Sequence, residues 1–364
     1  MSPTRYAATR DDIAAALAAR GEPSYRATQL YDGLWAQRKP LEELTALPKA
    51  LRADLARAFP LALDVVTQRT SNDAETGKWL WRASGGVQVE TVLMRSPARA
   101  TVCVSSQAGC AMGCTFCATG QAGFDRHLDV GEIVEQVVRA QHASTARVSH
   151  VVFMGMGEPL ANLDAVLPAL VRLHDDFGLS ARHLTVSTVG VVPGMLRLAT
   201  FDLPVTLAVS LHAPDDELRE TLVPLNRRYP VADVLDAARE YAAVKGRRVT
   251  FEYACIAGVN DRPDQADRLG RLLAGLRGGA HVNLIPLNPT GAFAGTPPDR
   301  ERINRFAARL AAAGVNVTVR RNRGVDIDAA CGQLRARVRA GSAPEVQVDA
   351  PGRAPASGSA TMVP

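Results

Sequence analysis

The sequence predicts an α/β protein built on a parallel sheet that is either open or curled into a partial barrel. From about residue 98, apolar runs of strand length alternate with amphipathic segments of helix length. The chain has 364 residues, 47% of them hydrophobic, which is enough for a sizeable core with appendages. Short polar and glycine motifs follow several of the predicted strands, where the active sites of such folds lie.

Residues 1–95 are predicted to form a small helical accessory domain followed by a hairpin. Apolar residues recur at helical spacing in three segments separated by Gly and Pro; these begin near Asp11, at 24–35 and at 41–59. Strand patterns at 78–82 and 87–93 flank Gly85-Gly86 and indicate the hairpin. Five side chains are candidates for contacting a nucleic acid by stacking and charge: Tyr25, Arg26, Tyr31, Trp35 and Arg38. Alternatively Tyr31 and Trp35 are core residues, which we favour for Trp35.

The alternating elements fill residues 96–340. Strands are predicted over 100–105, 148–154, 184–188, 205–211, 249–254, 282–287 and 315–319. Helices are predicted over 130–144, 163–175, 193–199, 231–245, 264–276 and 301–313. Residues 341–364 are rich in Ala, Pro, Ser and Gly, which predicts a disordered tail.

Three cysteines in eight residues form the most specific motif: Cys110, Cys114 and Cys117, at C-x3-C-x2-C spacing. Closely spaced thiolates hold zinc or iron–sulfur clusters. A structural zinc site needs four ligands, and His127 is the nearest candidate for the fourth. Three thiolates suit a 4Fe-4S cluster with one iron left open for a small-molecule ligand. The alternative, three unrelated buried cysteines, is improbable in a glycine-containing loop.

Further polar residues lie at the predicted strand ends. Gly157 and Glu158 belong to the motif Gly155-Met-Gly-Glu-Pro159, directly after the strand that ends at Met154. The others are Ser187, Ser210, His212 and Asn288. Glycines at such a turn let the backbone approach a ligand closely. Alternatively these residues are caps and turn formers, and for His212 alone the two interpretations are evenly balanced.

Composition and charge restrict the class of protein. The net charge of +5 and pI near 9.0 are compatible with a nucleic-acid partner without establishing one. Six cysteines without a signal-peptide pattern indicate ligands or catalytic thiols rather than a disulfide framework. Because no apolar stretch reaches 18 residues, we expect a soluble, cytoplasmic protein that does not associate with a membrane. We expect a monomer.

The cysteine spacing, with Phe116 before the third thiol, resembles that of radical S-adenosylmethionine (SAM) enzymes. Three further stretches carry a closer resemblance: Cys103-Val-Ser-Ser-Gln-Ala-Gly-Cys110, Gly155-Met-Gly-Glu-Pro159 and Asp326-Ile-Asp-Ala-Ala-Cys-Gly-Gln-Leu334. Over about residues 10–340 the chain is similar to the RlmN/Cfr family of radical-SAM RNA adenine methyltransferases, and it fits the RlmN branch best. The implied fold is a partial (βα)6 radical-SAM barrel with an N-terminal helical domain. The stretch from Asn288 to Gly295 departs from the family pattern, being longer and less aromatic, which would affect substrate contacts rather than the chemistry.

The resemblance also implies roles for individual residues. Cys110, Cys114 and Cys117 would ligate the 4Fe-4S cluster. SAM would be bound by Gly157, Glu158, Ser187, Ser210, Leu211, His212 and Asn288. Cys331 would take a methyl group from one SAM, and a radical from a second SAM would activate that group for addition to carbon 2 of an adenine. Cys103 would then form a disulfide with Cys331 and release the RNA. Glu90 matches the proton acceptor of the family, although from the sequence alone it would be an exposed strand carboxylate.

The partners implied by the resemblance are 23S rRNA, at the peptidyl transferase centre, and tRNA, next to the anticodon. An electron donor such as flavodoxin or ferredoxin would also be needed. Two alternatives stay open: a Cfr-like enzyme that methylates carbon 8, and, more remotely, a radical-SAM activase or maturase acting on a partner protein.

Two further predictions concern residues outside those motifs. Residues 320–339 hold six Arg against two Asp, so we expect Arg320, Arg321 and Arg323 to contact RNA unless they form a solvated basic face. Cys255 has no motif around it and is interpreted as a small buried hydrophobe.

Overall fold

The computed structural model describes residues 3–97, 99–276, 278–290, 293–320 and 324–334. The predicted tail over 341–364 and the side chains of Arg321 and Arg323 lie outside these ranges.

Three helices begin the chain: α1, Arg10–Ala18; α2, Tyr25–Trp35; and α3, Lys49–Ala58. Thr9 starts α1 with a capping box that it forms with Asp12. The single helix predicted over 41–59 is wrong. A short 3-10 turn at Leu41–Glu43 and α3 share that segment, because Pro48 has an extended backbone and prevents a continuous helix.

A ten-stranded sheet organises the rest of the chain. Its first three strands, which are antiparallel, are β1, Asp64–Thr70; β2, Thr76–Arg82; and β3, Gln88–Ser96. The next strand, β4, Arg99–Cys103, is antiparallel to β3 on one side and parallel to the strand Val148–Phe153 on the other. A separate two-stranded sheet pairs β5, Gln107–Gly109, with β6, Phe124–His127, on either side of α4, Ala118–Ala122. The hairpin predicted around Gly85-Gly86 is therefore confirmed as β2 and β3.

The remaining strands follow β4 side by side in chain order, all parallel. They are β7, Val148–Phe153; β8, Leu184–Thr188; β9, Thr206–Ser210; β10, Val249–Cys255; β11, Ala280–Pro286; and β12, Asn316–Val319. The connecting helices are α5, Val130–His142; α6, Leu163–Asp175; α7, Val192–Thr200; α8, Asp216–Leu222; α9, Val231–Lys245; α10, Pro263–Leu273; and α11, Arg300–Ala312. The alternation predicted from residue 98 is confirmed, with ends shifted by up to three residues, whereas β1, α8 and the β5–β6 hairpin were not predicted.

The sheet continues across the expected domain boundary near residue 95. Val92 on β3 lies opposite Cys103 on β4, so the hairpin is hydrogen-bonded to the parallel sheet. Without β3, the free edge of β4 would leave backbone donors and acceptors unpaired. The hairpin therefore forms part of one wall of the core, whereas the three N-terminal helices lie outside the sheet.

The N-terminal helices are attached to α6 through a polar cluster. Arg172 donates to the Tyr31 hydroxyl at 3.1 Å and to the Ala7 carbonyl at 2.8 Å. Tyr31 and Trp35 are buried, which confirms the core interpretation of both. Tyr25 is 54% exposed, and the guanidinium of Arg26 lies over its ring.

A final segment, residues 324–334, lies against two parts of the fold and is called the C-terminal segment below. At one end, Lys78 on β2 donates to the Asp328 carbonyl at 3.1 Å. At the other, Asn288 after β11 donates to the Cys331 carbonyl at 2.9 Å, and Thr119 on α4 donates to the Leu334 carbonyl at 2.6 Å. These bonds fix the backbone on both sides of Cys331. No helix in the described part of the chain is both long and apolar enough to cross a bilayer.

Candidate active site

One cavity lies at the carboxyl ends of the parallel strands. It contains about 990 Å³ of space, including the part that opens to solvent. The predicted site residues on its walls are Cys110, Cys114, Cys117, Gly157, Glu158, Ser187, Ser210, His212, Asn288 and Cys331. Three predicted residues are not among its lining residues: Glu90, Cys103 and Leu211. A cavity of this size suits a small-molecule ligand.

The loop with the three cysteines is held by backbone hydrogen bonds to its surroundings. The Cys110 amide donates to the Gly123 carbonyl at 2.7 Å, and the Thr115 amide donates to the Leu222 carbonyl at 3.0 Å. Gly120 is needed because a Cβ there would lie 3.0 Å from the Cys114 nitrogen. The loop is thus fixed between the β5–β6 hairpin and α8.

The three thiols of that loop line the same cavity. Burial raises the pKa of Cys110 to about 12 and also raises that of Cys114. Thiolates are the metal-binding form, so a bound cation must supply the compensating charge. No three His, Cys, Asp or Glu side chains in the described residues converge closely enough for a single metal ion. Three cysteines on one short loop that lines the cavity are a donor set typical of an iron–sulfur cluster, so these residues fit such a cluster.

His127 is not placed as a fourth ligand. Its Nδ1 lies 3.0 Å from the Gln107 amide nitrogen, and its ring packs against Phe124. It does not line the cavity that contains the cysteines. His127 is therefore not available as a fourth ligand to a cluster at this loop.

The glycine motif after β7 packs directly on β5. Gly157 has a φ of 101°, and a Cβ there would lie 2.5 Å from the Gln107 Cβ. The Glu158 amide donates to the Gln107 side-chain oxygen at 2.8 Å. A residue other than glycine would therefore push this loop away from β5.

Glu158 joins two of the loops that line the cavity. Its carboxylate accepts hydrogen bonds from the Leu160 and Val189 amides, both at 2.9 Å. Burial raises its pKa to about 7, and these backbone bonds oppose the rise. The Thr188 hydroxyl also hydrogen-bonds to this carboxylate, and the lone pairs that remain can accept from a ligand.

His212 is held in a strained conformation beside the cysteine loop. Its φ of 62° is rare for a residue other than glycine. Its Nδ1 accepts from the Ala254 amide at 3.0 Å, and burial lowers its pKa to about 3. The ring is therefore neutral with its proton on Nε2, and it packs edge-on against Phe116 at 4.8 Å. By contrast, the Leu211 side chain lies in the hydrophobic core, so only its backbone is close to the site.

Two buried acceptors on the cavity wall have no hydrogen-bond partner among the described residues. They are Asn288 Oδ1 and Glu252 Oε2. Unsatisfied buried polar atoms are rare and are usually explained by a ligand or ion. SAM carries an ammonium group, ribose hydroxyls and an adenine amino group, so these acceptors fit it.

The other two cysteines are near enough to interact electrostatically, and of the two only Cys331 lines the cavity. Cys331 is exposed, whereas Cys103 is buried. Burial raises the pKa of Cys103, and the Cys331 thiolate raises it further. The surrounding protein also raises the pKa of Cys331, and the Arg320 guanidinium opposes that rise. Arg320 lies on the cavity wall with its Nη1 3.7 Å from Glu252 Oε2, a pair that the sequence did not reveal.

Glu90 is buried, so the expectation of an exposed strand carboxylate is wrong. Its Oε1 lies 3.2 Å from the Nζ of Lys78, and both side chains are about nine-tenths buried. Val92 lies opposite Cys103, and alternate residues of a strand share a face, so Glu90 is on the same face of the sheet as Cys103. Lys78 itself was not predicted as a site residue, since no local motif marks it.

Comparisons with known proteins identify the family. Residues 104–269 match the family model of the Radical SAM superfamily. The chain is 52% identical to a protein of Parafrankia sp. named probable dual-specificity RNA methyltransferase RlmN, over 93% of this chain and 94% of that protein. It is 54% identical to a Salinispora tropica protein of the same name, over 87% and 88% respectively. A solved radical SAM methyltransferase from Sphaerobacter thermophilus superimposes with a TM-score of 0.87 at 50% identity, covering 92% of this chain and 99% of that one.

The open-sided cysteine loop, the two thiols beside the cavity and these similarities agree with one another. The chain is an enzyme of the transferase class, and it belongs to the RlmN family of radical SAM RNA methyltransferases.

Proposed function

We propose that this enzyme methylates carbon 2 of a specific adenine in 23S rRNA and in tRNA, with Cys331 as the methyl carrier. The observation that carries the proposal is the position of Cys331. It lies at the mouth of a cavity that the three clustered cysteines also line, and Cys103 is close beside it. The name shared by the relatives, dual-specificity RNA methyltransferase, supports RNA of two kinds as the substrate.

Cys110, Cys114 and Cys117 would hold a 4Fe-4S cluster, and the cavity wall from Gly157 to Asn288 would hold SAM. When bound and reduced by a donor such as flavodoxin or ferredoxin, they would supply a radical able to remove a hydrogen atom from a methyl group on Cys331. This route suits the target atom. Carbon 2 of adenine is electron-poor and does not attack SAM as a nucleophile.

Three side chains of the protein assist the remaining steps, which are methylation of Cys331, proton removal from carbon 2 and release of the RNA. Arg320 opposes the rise that burial causes in the pKa of Cys331 and so favours the thiolate that takes a methyl group. After the methylene carbon has bonded to carbon 2, Glu90 accepts the proton that carbon 2 loses. As that proton leaves, the radical adduct would return its unpaired electron to the cluster. Cys103 then attacks the sulfur of Cys331 and forms a disulfide with it. The carbon–sulfur bond breaks with its electron pair on the methylene carbon, which takes a proton to become the methyl group of the released RNA.

We also propose that the N-terminal helices contact the RNA. Tyr25 is the largest exposed aromatic side chain in this domain, and Arg26 lies over its ring. An exposed aromatic ring with an adjacent guanidinium is suited to stacking on a base.

The reaction is tested by mass spectrometry of nucleosides from rRNA and tRNA of cells with and without the enzyme. We expect 2-methyladenosine in both RNA fractions, present only with the enzyme. Detection of 8-methyladenosine instead would establish the Cfr-like alternative. Unmodified RNA in both fractions, from cells with cluster-loaded enzyme, would contradict RNA methylation and favour a protein partner.

The pairing of Lys78 with Glu90 gives a second prediction. Lys78 contacts both the proposed proton acceptor and the Asp328 carbonyl, so it fixes Glu90 relative to the C-terminal segment. We expect Lys78→Met to slow methylation by about tenfold or more, which corresponds to ~1.4 kcal/mol of activation free energy. The covalent adduct of Cys331 with RNA should then accumulate, because proton removal precedes release.

Lys78→Arg keeps a cation between the same two partners and is the matched control. We expect it to retain most of the activity and to show less adduct than Lys78→Met. Single-turnover assays with denaturing gels measure both quantities. Parental rates and no adduct in Lys78→Met would show that this lysine has no part in the reaction.

A further inference from the structure

Arg219, on the short helix α8, is a charged side chain that the proposed mechanism does not use. It has no exposed surface. A guanidinium has five N–H donors, and here each one meets an oxygen. The acceptors are the carbonyls of Leu211 at 3.0 Å, Tyr229 at 3.5 Å, Val189 at 2.5 Å and Ser210 at 3.3 Å, and the Asn226 side-chain oxygen at 2.9 Å.

These acceptors belong to two loops of the cavity wall and to the turn after α8. Val189 follows β8, and Ser210 ends β9; both residues line the cavity. One planar guanidinium bonded to both loops fixes the distance between them. The positions of Ser210 and of the neighbouring His212 therefore depend on Arg219.

The charge of Arg219 has no ion-pair partner among the described residues, although the more distant Asp216 opposes part of the effect of burial on its pKa. All five acceptors are neutral oxygens, and no carboxylate there lies within ion-pairing distance. Asp216 is connected to Arg219 only through Asn226, whose side-chain amide donates to the Asp216 carboxylate at 3.0 Å. Asp216 is exposed, so water weakens its electrostatic interaction with Arg219. Burial lowers the pKa of Arg219 to about 10, so the side chain remains charged at neutral pH. Burying an ion without an ion-pair partner is energetically costly.

The cysteine loop provides the missing negative charge. Helix α8 ends against that loop, where the Thr115 amide donates to the Leu222 carbonyl at 3.0 Å. Leu222 and Cys114 pack in one apolar cluster, and Val189, whose carbonyl accepts from Arg219, packs against the same cluster. The buried cation and a cluster-ligating thiolate are therefore close enough to interact.

We propose that Arg219 is a positioning residue that sets the two SAM-binding loops and whose buried charge raises the reduction potential of the cluster. Reduction adds an electron to a cluster that thiolate ligands already make negative. A nearby cation stabilises the reduced form more than the oxidised form. The inference rests on the proposed function only for the location of the cluster and SAM.

The charge is tested with Arg219→Gln, reconstituted anaerobically with iron and sulfide. We expect the midpoint potential, measured by redox titration with electron paramagnetic resonance, to shift to a lower value than in the parent. Arg227→Gln is the matched control. It removes the same charge from a side chain that is 75% exposed and paired with Glu220, so its potential should equal that of the parent.

Asn226→Asp provides a second test of the charge that leaves the guanidinium in place. It puts a carboxylate next to Arg219, so we expect it to lower the potential in the same direction as Arg219→Gln. This variant decides the question if Arg219→Gln does not assemble its cluster. A potential equal to that of the parent in a cluster-loaded Arg219→Gln or Asn226→Asp protein would overturn the electrostatic role.

The positioning role is tested with Arg219→Lys, which keeps the charge but cannot bond to both loops at once. We expect SAM to bind the oxidised, cluster-loaded variant about tenfold more weakly, while the potential stays close to that of the parent. An unchanged dissociation constant for SAM would overturn the positioning role. Both measurements are made without RNA, so they stay informative even if the RNA product differs from the one proposed.

Discussion

Cys103→Ala should be isolated with RNA covalently attached to Cys331, whereas Cys331→Ala should carry no RNA. The two thiols are proposed to act at different times, so their variants should fail differently. Without a sulfur at position 331 there is no methyl carrier, and no adduct forms. Without Cys103 the methyl carrier still forms and still adds to adenine, but no thiol is present to attack the Cys331 sulfur and release the product.

The positions of the two residues mean that neither substitution should change the fold or the cluster, so differences between the variants report on the reaction. Cys103 is a small buried side chain, and Cys331 is exposed at the cavity mouth, so neither truncation should disturb the fold by much. Neither is a proposed cluster ligand, so iron content should equal that of the parent in both variants. Multiple turnovers should be abolished in both.

The measurement is a denaturing gel of each purified variant before and after nuclease treatment, followed by peptide mass mapping. The nuclease-sensitive band should map to the peptide that contains Cys331. A Cys103→Ala protein that turns over RNA normally and carries no nucleotide would exclude the methyl-carrier mechanism for this enzyme. An activase acting on a protein partner would then be the better explanation.

The order of strands and helices could be predicted because each parallel strand is an apolar run of four to seven residues followed by an amphipathic segment. The cysteine loop could be predicted for a similar reason. Its chemistry depends on residues within one short segment, Cys110 to Cys117, and local spacing is visible in a sequence.

The contacts that position the site could not be predicted, because they join residues that are distant in the chain. Lys78 meets Glu90 only through the register of β2 on β3, and Arg320 meets Glu252 across the inside of the sheet. A shift of register by one residue would move either partner to the opposite face. The sequence alone does not determine that register, so Glu90 was expected to be exposed.

The short helix α8 was missed for a different reason. Seven residues give fewer than two turns of hydrophobic periodicity, too few to distinguish a helix from a turn. Its stability comes from the fold: Asp215 caps its first turn by accepting from the Leu218 amide, and Arg219 bonds to the surrounding loops. Because α8 was not predicted, the sequence did not indicate a role for Arg219 either.

Cys114→Ala should lose the iron–sulfur cluster and all cleavage of SAM. Anaerobically reconstituted parent protein should contain about four iron atoms per chain, as a 4Fe-4S cluster requires. Cys114 is the most buried of the three clustered thiols. Two remaining thiolates do not hold such a cluster firmly, so the variant should contain less than about one iron atom per chain.

Cys255→Ala is the matched control, because Cys255 is also a buried cysteine that loses the same atom. It ends β10 with 1% exposure, as expected for a small hydrophobe, and it does not line the cavity. Its loss should cost about 1 kcal/mol of folding free energy through packing alone and leave the iron content and SAM cleavage at parental levels. Cys255→Ala shows how much iron is lost when only the packing of a buried cysteine is removed. Any additional loss of iron in Cys114→Ala is therefore due to the loss of a cluster ligand. Parental iron content and parental SAM cleavage in Cys114→Ala would mean that this cysteine loop is not where the cluster binds.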